Sequence, residues 1–215
     1  MNPLLRITGS LRPLALILIL LMSTAAVPIP DSLGDGSPGD EVITKSSSNP
    51  DLEIAKQLHT TASELKNKMC QTQNLCDDSN EALAENNLNL PNITERDGCL
   101  TTGFNEETCL PRIVSGLQEF DTYLRYMETE MKDNKLQYLR MGTVQLIHKL
   151  KLLIKKTDAV PTPDPIVSKN LLSELQSLKA WSKNMALRLI LWHYTRFMEG
   201  TIRVVRFLHT RSIAA

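Results

Sequence analysis

Four cysteines and four histidines are the residues of this 215-residue chain best suited to metal or covalent chemistry. The densest stretch is CLTTGFNEETC, residues 99–109, which sets Cys99 and Cys109 ten positions apart with Glu106-Glu107 between them. Thiolates in such a stretch could hold zinc, run a redox exchange or form a staple. Zinc sites favour close Cys pairs completed by further Cys or His. Here CxxC spacing is absent, for a metal or a redox motif, and no histidine lies beside Cys70, Cys76, Cys99 or Cys109. His59, His148, His193 and His209 are scattered and form no HExxH pair. There is no GxSxG elbow, phosphate loop or dinucleotide fingerprint. Acids at a helix N-terminus are favoured by its dipole, which accounts for Glu106-Glu107 without catalysis. The chain therefore reads as a non-enzyme with no metal or cofactor, which leaves the staple.

A staple needs an oxidising compartment, and the N-terminus supplies the context. Arg6 and Arg12 precede the apolar run LALILILLM (14–22), followed by Ser23, Thr24, Ala25 and Ala26. A basic start, a short apolar run and small residues describe a secretory signal peptide, here 1–26 with cleavage near Ala26. The run is shorter than the ~20 residues a spanning helix needs, so no membrane insertion is expected after cleavage. In a secreted chain an even cysteine count implies disulfides. Three connectivities are open, and the two short local loops favour Cys70–Cys76 with Cys99–Cys109. The sequon Asn92-Ile93-Thr94 then marks a glycan acceptor at Asn92 on an exposed loop.

Net charge is zero, so no bulk field points to nucleic acid. The charge is unevenly spread: residues 31–100 hold 13 acids against 5 Lys/Arg, and residues 180–215 hold six Lys/Arg and one acid. A basic C-terminal segment suits an acidic partner, a heparin-like polyanion among them.

The elements that position these residues are helical. Residues 27–50 are rich in Pro, Gly, Ser and Asp and read as a flexible tail. From 51 on, Leu52, Ala55, Leu58, Ala62, Leu65 and Met69 recur at three- and four-residue steps, which predicts helix A over 51–72. Ile113, Leu117, Phe120, Leu124, Met127 and Met131 predict helix B over 108–131, with Thr108 as N-cap and Pro111 in the first turn. After Lys132-Asp133-Asn134, the residues Leu136, Leu139, Thr143, Leu146, Leu150 and Leu153 predict helix C to about 156. A single helical turn is expected at EALAEN (81–86). DAVPTPDP (158–165) breaks the pattern. One helix over 168–209 would span about 60 Å, far longer than its partners. A short helix at 168–177 and helix D at 180–209 are therefore expected, with Met185, Leu189, Trp192, Met198, Ile202 and Val205 in the core. The short B–C link makes those helices antiparallel, and the long A–B and C–D connections return the chain parallel. The fold class is all-α: an up-up-down-down four-helix bundle with two long crossovers, formed by residues 51–215.

These residues carry a family pattern. Cys99, nine residues, Cys109, six residues, Gly116-Leu117, two residues, Phe120, three residues and Leu124 together resemble the signature of the interleukin-6 and granulocyte colony-stimulating factor family of long-chain helical cytokines. EALAENNLNLP (81–91), DGCLTTGFNEETCL (97–110), TPDP (162–165) and TIRVVRFL (201–208) are similar to its interleukin-6 branch. The resemblance implies a secreted pro-inflammatory cytokine that binds the interleukin-6 alpha receptor and then a shared signal-transducing receptor subunit at two further surfaces. It assigns Leu100, Phe104, Arg203 and Arg206 to the alpha receptor, although the family favours an aromatic where Leu100 stands. It assigns Leu83, Glu85, Asn86 and Trp181 to the shared subunit. On helices A and C, Gln57, Thr60, Gly142 and Gln145 depart from the family's usual residues. Loop packing for Phe104 and a core position for Trp181 are the structural alternatives. A granulocyte colony-stimulating-type growth factor and a polyanion-binding carrier using helix D are the functional ones.

Overall fold

The computed structural model describes residues 49–73, 76, 88–155, 160–161 and 163–214, within a compact unit spanning Ser46–Ala215. The signal segment, the tail as far as residue 48 and the EALAEN turn lie outside the described residues, while Pro50, expected in the tail, already opens α1. Five α-helices are described: α1 (Pro50–Gln73), α2 (Glu106–Glu130), α3 (Asn134–Lys151), α4 (Pro165–Ser177) and α5 (Ala180–Ala214). Among the described residues, one 3-10 turn, Glu95–Asp97, precedes α2.

Four of the five helix starts have a local cause. The Asn49 side chain accepts from the amides of Asp51 and Leu52 at 2.9 and 3.3 Å, which opens α1. Asp133 accepts from Lys135 N at 3.0 Å to open α3, and Asp164 from Ile166 N at 2.8 Å, with Pro165 next, to open α4. Helix α2 starts earlier than its apolar stripe indicates. Asn105, not Thr108, is its N-cap and accepts from Glu107 N at 3.0 Å. Pro111 consequently sits inside the helix rather than in its first turn. The Thr108 hydroxyl instead bonds the carbonyls of Asp97 and Asn105.

Cross-helix contacts give the direction of the four long helices. Lys68 and Glu64 on α1 pair with Asp133 and Lys135 at the start of α3, while Gln57 meets Tyr138 further along it. Hence α1 and α3 are antiparallel. The link Met131–Asp133 turns α2 back into α3, and Arg140 on α3 pairs with Glu128 on α2 at 2.8 Å. Glu130, ending α2, pairs with Lys183 near the start of α5, whereas Gly116, early in α2, packs against Phe197 further along α5. So α1 and α2 run up, and α3 and α5 run down: the up-up-down-down bundle with two long crossovers. The short α4 is tied to α2 by the Tyr126 hydroxyl, which donates to Leu175 O at 3.0 Å. Burial and nearby Glu130 push that phenol up to about 12.

The interior is a continuous apolar cluster fed by all four long helices. Phe120 on α2 meets Tyr194 and Phe197 of α5 edge-on, with centroids 5.2 and 5.4 Å apart. Three expectations need correction. Trp192 is not core: α5 buries Leu191, Tyr194 and Thr201 beside the expected Met198 and Val205, and leaves Trp192 half-exposed. Helix α3 ends at Lys151, so Leu153 falls outside it and is exposed. Helix α5 runs to Ala214, five residues past the expected end at 209.

Two disulfides join Cys70 to Cys76 and Cys99 to Cys109, with Cα atoms 4.7 and 5.0 Å apart. The first ties the end of α1 to the following connection, and the second ties the last part of that connection to α2.

Candidate functional site

The loop between Gly98 and Asn105 is built to point outward. Gly98 and Gly103 have φ of 69° and 88°, the left-handed region where a side chain would be strained. A Cβ on Gly98 would also meet Thr108 Oγ1 at 2.6 Å. Asn105 N donates to Gly98 O at 2.9 Å, which closes the loop at its base, while the Cys99–Cys109 bridge fastens it to α2.

Within this loop Leu100 is 42 % exposed. Phe104 is half-buried, and its ring lies 4.8 Å from that of Phe207, tilted by 56°. Phe207 follows Arg206 on α5 and stands one turn beyond Arg203. The structure thus brings the end of the first crossover against the end of α5, with one aromatic pair as the seam. Both arginines are exposed, and among the described residues neither forms an ion pair. Phe207 escaped the sequence reading. Its signal was an aromatic four residues after Arg203, at the margin of the apolar stripe.

The exposed face of α5 extends further. Trp192, Arg196, Glu199, Arg203 and Arg206 follow one another at steps of four and three, which stacks them along one side of the helix. The Arg196 guanidinium lies 5.1 Å from the Trp192 ring centroid. His193 stands edge-on to Trp192 at 4.7 Å; burial, and then Arg196, hold its imidazole below the usual histidine range. The basic set of helix D is thinner than its sequence implies. Arg188 is only 2 % exposed and Lys183 pairs with Glu130, so four arginines face outward: Arg196, Arg203, Arg206 and Arg211.

At the opposite end, Trp181 is 58 % exposed on the first turn of α5. This excludes a bundle-capping core position. Leu83, Glu85 and Asn86 lie outside the described residues. A third feature lies between α1 and α3, a groove of about 400 Å³ lined by Ile54, Gln57, Leu58, Tyr138, Gly142 and Gln145, with Met141 at its edge. It is shallow because Gly142 admits Leu58: a Cβ there would lie 2.6 Å from Leu58 Cδ2. The Tyr138 hydroxyl donates to Gln57 Oε1 at 2.9 Å, and Tyr138 and Met141 are both exposed. Neither was singled out from sequence, although both are large apolar residues off the α3 stripe.

A further groove of about 480 Å³ between α2 and α4 holds the one clearly raised carboxyl among the described residues. Burial pushes Glu119 up, against the lowering effects of Arg112 and of a Ser115 hydrogen bond. Ser115 and Glu119 both line this groove, and no histidine does.

An up-up-down-down bundle with two local disulfides and, among the described residues, outward features on helix faces and crossovers has the architecture of the long-chain helical cytokines. The profile of the Interleukin-6/G-CSF/MGF family matches residues 24–208. The chain belongs to that family, whose members are cytokines rather than enzymes. It is 39 % identical over 207 residues to interleukin-6 of Saimiri sciureus, covering 93 % of this chain and 97 % of that one. With interleukin-6 of Gallus gallus it shares 38 % identity over 203 residues, 92 % of this chain and 84 % of the relative. Among solved structures, the solution structure of mouse interleukin-6 aligns with a TM-score of 0.57 at 34 % identity, over 85 % of this chain and 99 % of that one. A crystal structure of a cytokine/receptor complex aligns with a TM-score of 0.59 at 25 % identity, covering 73 % and 95 %. As a cytokine, the chain acts by binding receptors.

Proposed function

We propose that the chain is a secreted cytokine that engages a specific alpha receptor through Leu100, Phe104, Arg203 and Arg206, then a shared signal-transducing subunit. One observation carries this reading: Phe104 lies on Phe207 beside two exposed arginines that make no ion pair among the described residues. An aromatic anchor next to arginine is the usual composition of an interface hot spot. The shared subunit is met at two places. One centres on exposed Trp181 with Leu83, Glu85 and Asn86. The other is the α1–α3 groove rimmed by Tyr138 and Met141. The signal segment 1–26 directs export, with cleavage near Ala26. The tail 27–50 and the domain 51–215 remain, and the domain carries every contact residue.

Two assays on folded variants test the reading. Arg203→Glu should lower affinity for the interleukin-6 alpha receptor by roughly thirtyfold or more, the loss expected for a hot-spot residue. Trp181→Ala should leave that affinity intact while abolishing recruitment of the shared subunit. Unchanged alpha-receptor binding by Arg203→Glu would overturn the assignment. Activity on cells bearing only a granulocyte colony-stimulating factor receptor would favour the growth-factor alternative. The heparin-like polyanion reading gains nothing from the burial of Arg188 and the pairing of Lys183.

A further inference from the structure

The sequon Asn92-Ile93-Thr94 sits on a pinned segment. Arg112 of α2 donates through Nη2 to the Asn92 main-chain carbonyl at 2.9 Å, which leaves the Asn92 side chain out of the contact and the residue exposed. Asp97 Oδ2 accepts from Thr94 N at 2.5 Å and from Thr94 Oγ1 at 2.8 Å. Between them Ile93 reaches α5: a Cβ on Gly200 would lie 2.7 Å from Ile93 Cδ1. Gly200 is buried, and Arg203 stands three residues on. At 100° per residue the two side-chain directions differ by about 60°, so the Gly200 edge is the near border of the Arg203 face. Chain geometry then keeps the Asn92 and Arg203 Cα atoms within roughly 20 Å.

We infer that Asn92 carries an N-linked glycan that attenuates alpha-receptor association from the rim of the α5 basic face. This inference rests on the receptor reading above. The modification is a group transfer in the secretory compartment, with a lipid-linked oligosaccharide pyrophosphate as donor. The Asn92 carboxamide nitrogen forms a bond to the anomeric carbon, and the carbon–oxygen bond to the pyrophosphate breaks. The lipid pyrophosphate leaves with the electron pair, and the nitrogen gives up one proton to a base of the transferase. Once the chain folds, the contacts of Arg112, Asp97 and Gly200 hold the attachment point against α5 instead of letting it swing clear. A bulky hydrophilic glycan there occupies solvent through which a receptor must approach Arg203. It contributes no contact to the docked interface, so it acts by thinning productive encounters, which lowers kon and leaves koff nearly unchanged.

The full chain is secreted from mammalian cells, and its intact mass is measured before and after peptide-N-glycosidase treatment. Association with immobilised interleukin-6 alpha receptor is then timed for the glycosylated chain, the enzyme-treated chain, Asn92→Gln and Thr94→Ser. Thr94→Ser keeps the sequon and the hydroxyl that Asp97 accepts. Circular dichroism checks that all four are folded. The inference expects a glycan mass on the parent and on Thr94→Ser. It expects kon to rise roughly threefold to tenfold in both glycan-free forms, with koff nearly constant. A parent chain without glycan mass overturns it, as do glycan-free forms that associate at the parent's rate. If none of the four folded forms binds the alpha receptor, the receptor reading fails and the attenuator fails with it. Glycan-free binding that is lost on adding Arg203→Glu, at an unchanged parent kon, overturns the attenuator alone.

Discussion

The hydroxyl pair Thr143–Tyr194 offers a sharp test of how the bundle is held across its diagonal. Thr143 on α3 and Tyr194 on α5 are both fully buried, with their oxygens 2.6 Å apart. The Thr143 hydroxyl donates to Leu139 O at 2.7 Å, and it has only one proton. Tyr194 must therefore be the donor in the pair and Thr143 the acceptor. Burial raises the Tyr194 pKa, against a lowering from its bond to Thr143, so it keeps its proton at any working pH. Two near-isosteric changes break the same bond with unequal consequences. Tyr194→Phe removes the donor and leaves Thr143 bonded to Leu139, so it costs about 0.5–1.5 kcal/mol, the net worth of one hydrogen bond. Thr143→Val removes the acceptor and strands a buried phenol, for about 1–3 kcal/mol of uncompensated desolvation. The double variant strands nothing, so its cost should fall below the sum and near that of Tyr194→Phe. With a urea m-value of ~2 kcal/mol/M, a 2 kcal/mol loss moves the midpoint by about 1 M. Urea titration of all four proteins, with m held constant, reads the cycle. Tyr194→Phe costing more than Thr143→Val, or strictly additive costs, would refute the donor assignment.

Three other outcomes are expected. A Cβ on Gly116 would land on the Phe197 ring, so Gly116→Ala should cost about 1–3 kcal/mol by overpacking the α2–α5 contact. Pairing it with Phe197→Leu should recover part of the loss in the same urea assay. Phe207→Ala removes the ring on which Phe104 lies while sparing both arginines, and should weaken alpha-receptor binding about threefold to tenfold in surface plasmon resonance. His193 is held below its ordinary range by burial and Arg196. The unfolded chain therefore binds more protons just below the unperturbed histidine pKa of about 6.5, so stability falls as pH drops through that window. His193→Gln should flatten that part of the urea midpoint plotted against pH.

What could be read from sequence, and what could not, divides along contact range. The stripes Leu58–Ala62–Leu65–Met69 and Leu117–Phe120–Leu124–Met127 were legible because a helix repeats its buried face every three to four residues. Crossover lengths then gave the topology, since a short link forces neighbours antiparallel. Periodicity says nothing about how wide the buried stripe is. Trp192 matched the step pattern yet lies at the stripe's margin, where half of its indole meets solvent and Arg196. Ends were blurred for a related reason. Leu153 keeps step with Leu146 and Leu150, but the last helical residue is Lys151, and a leucine past the end has no facing helix to bury it.

The residues of the candidate site could be named from sequence, but not their arrangement. Phe104 and Arg203 stood out through a family likeness, whereas Phe207 became visible only when the first crossover closed against the end of α5. That contact depends on two features with no periodic signal. The left-handed glycines let the loop turn, and the Cys99–Cys109 bridge stops it from drifting. Among the described residues Arg203 and Arg206 have no ion-pair partner, and this costs little. Exposed guanidinium groups stay hydrated, and an isolated surface ion pair would add little stability. With no ion-pair partner among the described residues, their donors are available to the receptor contact proposed above. A loop held by an aromatic seam and a disulfide, beside arginines with no ion pair among the described residues, fits the proposed recognition surface better than a purely stabilising role.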